Sequence, residues 1–138
     1  MPARDIYHNR VKNALIANGW TITHDPLKLE IGAKDLYVDL GAMKLIAAEK
    51  EEYKIAVEVK SFVSKSDIDE LEKALGQYIL YNDVLADREP ERILYLAVPQ
   101  RIFKDLFEEP IGKLLLKNRR VKLIVFDEHQ DTIAQWIQ

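Results

Sequence analysis

Asp39, Glu58 and Lys60 are the residues of this chain whose types and spacing suit one reaction, metal-assisted hydrolysis of a phosphodiester. Glu58 and Lys60 stand two apart in Ile55-Ala-Val-Glu-Val-Lys60, so on a strand both side chains point to one face. Asp39 lies in the apolar stretch before them, on what reads as the preceding strand of a hairpin, near the far end of that pair. Two carboxylates and the peptide carbonyl of Val59 supply the hard oxygen ligands preferred by Mg²⁺ or Mn²⁺, with positions left for water and a phosphate oxygen. Lys60 beside them orients or helps deprotonate the attacking water and offsets charge developing on the phosphate.

The tripeptide E-x-K is a weak signal, and the chain contains it twice, at Glu52-Tyr53-Lys54 and Glu58-Val59-Lys60. The first sits in the charged run that begins at Glu49 and reads as a solvated hairpin turn. The second lies in an apolar alternation followed by a loop and a capped helix. Alone, Glu58 and Lys60 read as an ion pair on a half-exposed sheet face, which contributes little to stability. Asp39 is what turns the pair into a candidate site.

The elements that position these groups follow from periodicity. Ala3 to Asn18 has helical spacing and stops at Gly19; Trp20 to Thr23 is a short β-prone run stopped by His24-Asp-Pro26. Leu36 to Ala48 and Tyr53 to Phe62 read as hairpin strands, the second alternating around Ile55, Val57 and Val59. Ser66 caps a helix that continues to about Leu85, and Arg92 to Val98 is a continuous apolar strand covered on both faces. A long helix between two strands predicts a parallel crossover. Arg101 to Asn118 reads as a helix broken near Pro110, Val121 to Asp127 as a buried strand, and Thr132 to Ile137 as its neighbour.

Composition sets the outer limits. The 138 residues suffice for one hydrophobic core, and 48% apolar with 31% charged residues is a globular balance, so a single domain over 1–138 is expected. With no cysteine and three scattered histidines, any metal is held by oxygen. No signal peptide or membrane-length apolar run is read, which makes the cytoplasm the expected compartment. A net charge of −3 argues against coating nucleic acid through bulk electrostatics but leaves room for a local basic strip, Lys113, Lys117, Arg119, Arg120 and Lys122, with Lys117, Arg119 and Arg120 as candidate phosphate contacts.

The acid on one hairpin strand followed by (D/E)-x-K on the next resembles the PD-(D/E)xK nuclease superfamily. That resemblance implies an α/β restriction-endonuclease-like core, a mixed central sheet flanked by helices. Asp39 with Glu58-Val59-Lys60 matches the signature; Asp35, in Gly32-Ala33-Lys34-Asp35, is a rival for the first acid. Gln77-Tyr78-Ile79-Leu80-Tyr81 resembles the Q-x-x-x-Y of some relatives, which implies Gln77 near the metal or a phosphate and Tyr81 against nucleic acid. Relatives also add an acid from the first helix. Asp5 is the candidate, with His8 one turn on read as a surface or boundary histidine.

The chain as a whole resembles XisH, the fdxN element excision controlling factor family of cyanobacteria. Gly19-Trp-Thr-Ile-Thr-His-Asp-Pro26, Asp35-Leu-Tyr-Val-Asp-Leu-Gly-Ala42, Ile55-Ala-Val-Glu-Val-Lys-Ser-Phe62 and Arg92-Ile-Leu-Tyr-Leu-Ala-Val-Pro99 carry that resemblance. It implies a part in controlled removal of a DNA element alongside a recombinase and a companion protein, XisI. Two readings follow: a nuclease-like DNA-processing factor, and a non-catalytic regulator acting through a XisI-type partner. Phe103, Phe107, Leu114 to Leu116 and Trp136 exceed what a small peripheral segment needs, so that region is expected to bind such a partner or a second copy of the chain.

Overall fold

A computed structural model describes residues 5–46 and 51–138. In chain order the elements are α1 (His8–Ala17), β1 (Thr21–His24), β2 (Leu27–Ile31), β3 (Lys34–Val38), β4 (Leu40–Ile46), β5 (Glu51–Val59), α2 (Asp67–Arg88), β6 (Arg92–Pro99), α3 (Gln100–Ile102), a π-helical turn (Phe103–Phe107), α4 (Pro110–Lys117), β7 (Leu123–Phe126) and β8 (Ile133–Ile137). A six-stranded sheet has the order β1-β4-β5-β6-β7-β8. β1, β4 and β5 are antiparallel, β6 and β7 add parallel, and β8 returns antiparallel. Of the expected elements, the start of the first helix at Ala3 and the turn residues Glu49 and Lys50 lie outside the described residues.

The central strands of the sheet are buried on both faces, because helices cover both. Ile55, Val57 and Val59 of β5 face Val11 and Leu15 of α1, together with Tyr95, Ile124 and Phe126. Ala56 faces the opposite core, built from Leu71, Ala74 and Tyr78 of α2 with Leu94, Leu96 and Val98 of β6. The face that carries Glu58 is therefore not half-exposed, as alternation alone suggested. α2 lies over it, and Glu58 is 8% exposed.

α2 is placed by its cap and its apolar stripe. Ser66 Oγ accepts the Asp69 N–H at 3.2 Å, and Asp67, Asp69 and Glu70 lie in the first turn, where the helix dipole favours anions. Leu71, Ala74, Tyr78, Tyr81, Val84 and Leu85 form the buried face. Tyr78 also ties α2 to the sheet edge-on, its hydroxyl donating to the Leu94 carbonyl at 3.0 Å and accepting the Lys122 N–H at 3.1 Å. The crossover from β5 through α2 to β6 is the expected parallel one.

Two expectations need correction. Leu36 to Ala48 is not one strand: β3 ends at Val38 and β4 starts at Leu40, with β2 and β3 forming a separate two-stranded hairpin. The signal was present as the period-2 alternation Leu27-Lys-Leu-Glu-Ile31, with Gly32 at φ 58° supplying the turn. The C-terminal apolar residues mostly complete the core rather than form an open patch. Phe107 is buried, Phe103, Leu115 and Leu116 pack against the core, and Trp136 stacks on Trp20 with centroids 5.8 Å apart and meets Tyr95 edge-on. Only Leu114 of that set is exposed.

Two glycines sit in contrasting surroundings. A β-carbon on Gly112 would lie 2.3 Å from the Leu106 carbonyl oxygen and 2.3 Å from Phe107 Cα, both backbone atoms that cannot swing aside. A β-carbon on Gly76, inside α2, would meet nothing within 4 Å. Gly112→Ala is expected to destabilise the fold by roughly 1–3 kcal/mol or more. Gly76→Ala should stabilise it by roughly 0.5–1 kcal/mol, because the helix no longer orders a glycine. Urea unfolding of both variants checks this, and shifts of the same sign would contradict it.

Candidate active site at the end of β5

Asp39 sits between β3 and β4, where the chain leaves the hairpin and enters the sheet. Leu40 pairs with Val57 in the antiparallel register, so Asp39 comes opposite Glu58. The two residues clasp each other through the backbone. Asp39 Oδ2 accepts the Val59 N–H at 2.8 Å, and Glu58 Oε1 accepts the Asp39 N–H at 3.2 Å. These bonds take over at the point where the β4 ladder ends. One oxygen of each carboxylate is left over, and Glu58 Oε2 stands 3.7 Å from Lys60 Nζ.

Asp5, Tyr37, Gln77 and Tyr81 join Asp39, Glu58, Val59 and Lys60 around one cavity of about 140 Å³. Gln77 and Tyr81 arrive together because residues four apart share a helix face. Gln77 Oε1 is buried with no hydrogen-bond partner, an atom that needs a polar guest. Asp5 works on the backbone of the loop: its Oδ2 accepts the Ser61 N–H and its Oδ1 the Tyr7 N–H, both at 2.9 Å. Arg101 donates to the Ser61 carbonyl at 2.9 Å, Lys60 N–H reaches the Ala97 carbonyl at 3.0 Å, and Phe62 is buried with φ 54°. The loop that carries Lys60 is thus tied at three points.

Of the rival first acids, Asp39 is in the cavity and Asp35 is not. Asp35 lies on the exposed face of the β2–β3 hairpin, 3.7 Å from Lys28. His8 is not a surface histidine. It is buried, with Nε2 donating to Asp25 Oδ1 at 2.7 Å, while Lys12 holds the other Asp25 oxygen at 2.7 Å. Tyr37 was not anticipated; its place on the hairpin next to Asp39 became visible only with the β3 boundary. Lys117, Arg119 and Arg120 do not line this cavity.

Burial governs the charges. Glu58 is pushed up to about 8, first by desolvation and then by the charge of Asp39, with Lys60 pulling the other way. Asp39 is also raised by burial, against the Val59 N–H bond, the hydrogen bond to Glu58 and the charges of His8 and Lys60. Tyr81 is pushed up to about 12 by burial and by the two carboxylates, so it stays a neutral donor. Among the described residues no group of three or more His, Cys, Asp or Glu side chains is arranged to hold a metal. Of the three acids that line the cavity, Asp5 has both oxygens on backbone N–H groups, which leaves Asp39 and Glu58 with the orphaned Gln77 amide oxygen, a hard-oxygen set that suits Mg²⁺, which keeps several waters and takes few carboxylates.

Fold and site together define a mixed α/β protein in which a helix-flanked mixed sheet holds a buried acidic cavity. The chain belongs to the XisH family: the family model described as XisH protein matches residues 1–134. It is 42% identical to an XisH family protein from Nostoc punctiforme PCC 73102, with a TM-score of 0.87 over 97% of this chain and 100% of that one. It is 43% identical to a fdxN element excision controlling factor protein from Anabaena variabilis, with a TM-score of 0.86 over 98% and 100%. No curated protein matches it. Among the described residues no helix is long and apolar enough to cross a membrane.

The elevated Glu58 gives the metal-free protein a defined pH response. The folded chain keeps a proton up to about 8 that the unfolded chain gives up near the ordinary value of 4.5. Stability contributed by this group is therefore full below about 4.5 and is lost as pH rises toward 8. Glu58→Gln keeps the acceptor for the Asp39 N–H and removes the charge. With chelator present, it should raise stability by roughly 1–3 kcal/mol at pH 8.5 and change it little near pH 5. Thermal melts at the two pH values check the sign, and equal effects at both would contradict it.

Proposed function

We propose that this protein is a nuclease-like DNA-processing factor that hydrolyses phosphodiesters with Mg²⁺ or Mn²⁺ at Asp39 and Glu58. The observation that carries the reading is the buried carboxylate pair with Lys60 beside it in one cavity, which a fold under selection for stability alone has no reason to keep. The order of an acid at a hairpin strand, E-x-K on the next strand, a crossover helix and a parallel strand supports a PD-(D/E)xK nuclease-like core. The cation would be held by Asp39, Glu58 and the Val59 carbonyl, with Gln77 near, and would polarise the phosphate and favour ionisation of water.

The chain's own groups then have separate tasks. Lys60 faces the scissile phosphate and the attacking water, neutralising charge as it develops. Gln77 Oε1 accepts a hydrogen bond from water in the cavity, and the protonated Tyr81 hydroxyl donates to a phosphate oxygen. Asp5 and Arg101 hold the Ser61 backbone, and so fix where Lys60 points.

The relative from Anabaena variabilis carries the name fdxN element excision controlling factor. We extend that role to this chain: DNA is the substrate, in removal of a genomic element, in concert with a XisI-type protein partner. A non-catalytic regulator acting through that partner, or through self-association, is the competing reading, favoured by the lack of a three-acid metal cluster among the described residues.

Purified protein incubated with plasmid and single-stranded DNA while Mg²⁺ or Mn²⁺ is titrated separates the two. The catalytic reading predicts metal-dependent cleavage, lost about 10²-fold or more in Glu58→Gln and in Lys60→Ala. Absence of cleavage by the wild type, together with a stable XisI-type complex that survives Glu58→Gln, would establish the regulator instead.

A further inference from the structure

The opposite ends of the parallel strands carry a second polar concavity, about 270 Å³ in volume. Arg92, Arg119, Arg120 and Lys122 line it with Tyr78 and Asn82, and no carboxylate does. Arg92 forms part of its fixed wall, its Nη1 donating to the Ile55 carbonyl at 2.9 Å and its Nε lying 3.2 Å from Glu89 Oε1. The other three cations are uncompensated. Among the described residues no carboxylate oxygen lies within 4.0 Å of the side-chain nitrogens of Arg119, Arg120 or Lys122. In a chain with 23 acidic and 20 basic residues, three unpaired cations around an acid-free hollow are a local excess.

The backbone holds them there. α4 ends with Asn118, Arg119 and Arg120 N–H groups bonded back to the carbonyls of Leu114, Leu116 and Leu115. Arg119 has φ 54°, the left-handed position of a helix C-terminal cap, where glycine is the usual residue and a β-carbon costs about 1 kcal/mol. An arginine at that position adds a charge where the turn itself asks for none. Lys122 is anchored through its N–H to the Tyr78 hydroxyl at 3.1 Å.

We infer that this hollow is a phosphate-binding site, separate from the carboxylate cavity. Three cations without a carboxylate partner among the described residues, two of them guanidinium forks, suit a multiply charged tetrahedral oxyanion better than a single carboxylate. Arg92 pairs with Lys54 and Leu96 with Glu58, so the two sites are four residues apart along the strands, about 13 Å. α2 contributes to both: Gln77 and Tyr81 line the carboxylate cavity, whereas Tyr78 and Asn82 line the basic hollow. The strip and Glu58 therefore do not grip the same phosphate. The bound group comes either from a nucleic-acid backbone or from a free phosphorylated molecule.

Binding measured without divalent metal keeps this test independent of any cleavage at Glu58. Fluorescence anisotropy with a short labelled single-stranded oligonucleotide and calorimetry with inorganic pyrophosphate, both at low salt, supply the two arms. We expect binding in at least one arm, weakened by salt, and reduced about tenfold or more in Arg120→Glu/Lys122→Glu. Binding of the oligonucleotide alone identifies the backbone as the source; binding of pyrophosphate identifies a free phosphate. Should the double variant fail to fold, Arg120→Gln and Lys122→Gln singly should each weaken binding, and for the oligonucleotide lower its salt slope by about one. No binding by the wild type in either arm, or unchanged affinity in folded variants, would overturn the assignment.

Discussion

Two carboxylates are forced together under a helix, and much of the molecule is arranged to make that tolerable. Burial out of water, and after it the neighbouring charge of Asp39, is why Glu58 holds its proton to about 8. Asp39 and Glu58 meet only because β4 begins one residue after Asp39 and pairs in a register that sets it across from Glu58. The backbone N–H groups of Val59 and Asp39 hold the two carboxylates, and Lys60 supplies an opposite charge beside Glu58. Removing α2 from the face would return the pair to water and remove the perturbation; removing the pair would leave a quieter core.

The surrounding scaffold serves the same end. A sheet covered on both faces lets α1 pack on Ile55, Val57 and Val59 while α2 shields Ala56 and Glu58. The loop after β5 is held by Asp5 from before α1 and by Arg101 from α3, so elements distant in sequence meet at Ser61. A larger cavity, about 420 Å³ and lined by Trp20, Tyr95 and Trp136, lies elsewhere, with Glu91 as the one acid among its described lining residues.

How much of this could be read from the chain differs by interaction type. The alternation around Ile55 and the cap at Ser66 depend on neighbours in sequence; the helix starts at its expected cap, whereas the strand takes in Glu51 and Glu52 of the run read as a turn and stops at Val59, before Lys60. The convergence of Asp39, Glu58 and Lys60 was legible because hairpin register and strand parity are short-range rules, and Gln77 with Tyr81 followed from helix spacing together with family resemblance. The β2–β3 hairpin was missed because Gly32 was read as part of a motif rather than as a turn, and Tyr37 was lost with it. The burial of His8 against Asp25, of Phe107 in the core and of Glu58 beneath α2 depends on contacts between remote segments, for which neither periodicity nor composition carries a signal.

The claim on which everything turns is that the carboxylate pair is a cation site, and calorimetric titration of Mn²⁺ into the full chain addresses it without requiring a substrate. The account predicts about one ion bound per chain, lost in Asp39→Asn and in Glu58→Gln while each variant stays folded by circular dichroism. Undiminished Mn²⁺ binding in both variants, or no binding by the folded wild type, would contradict it.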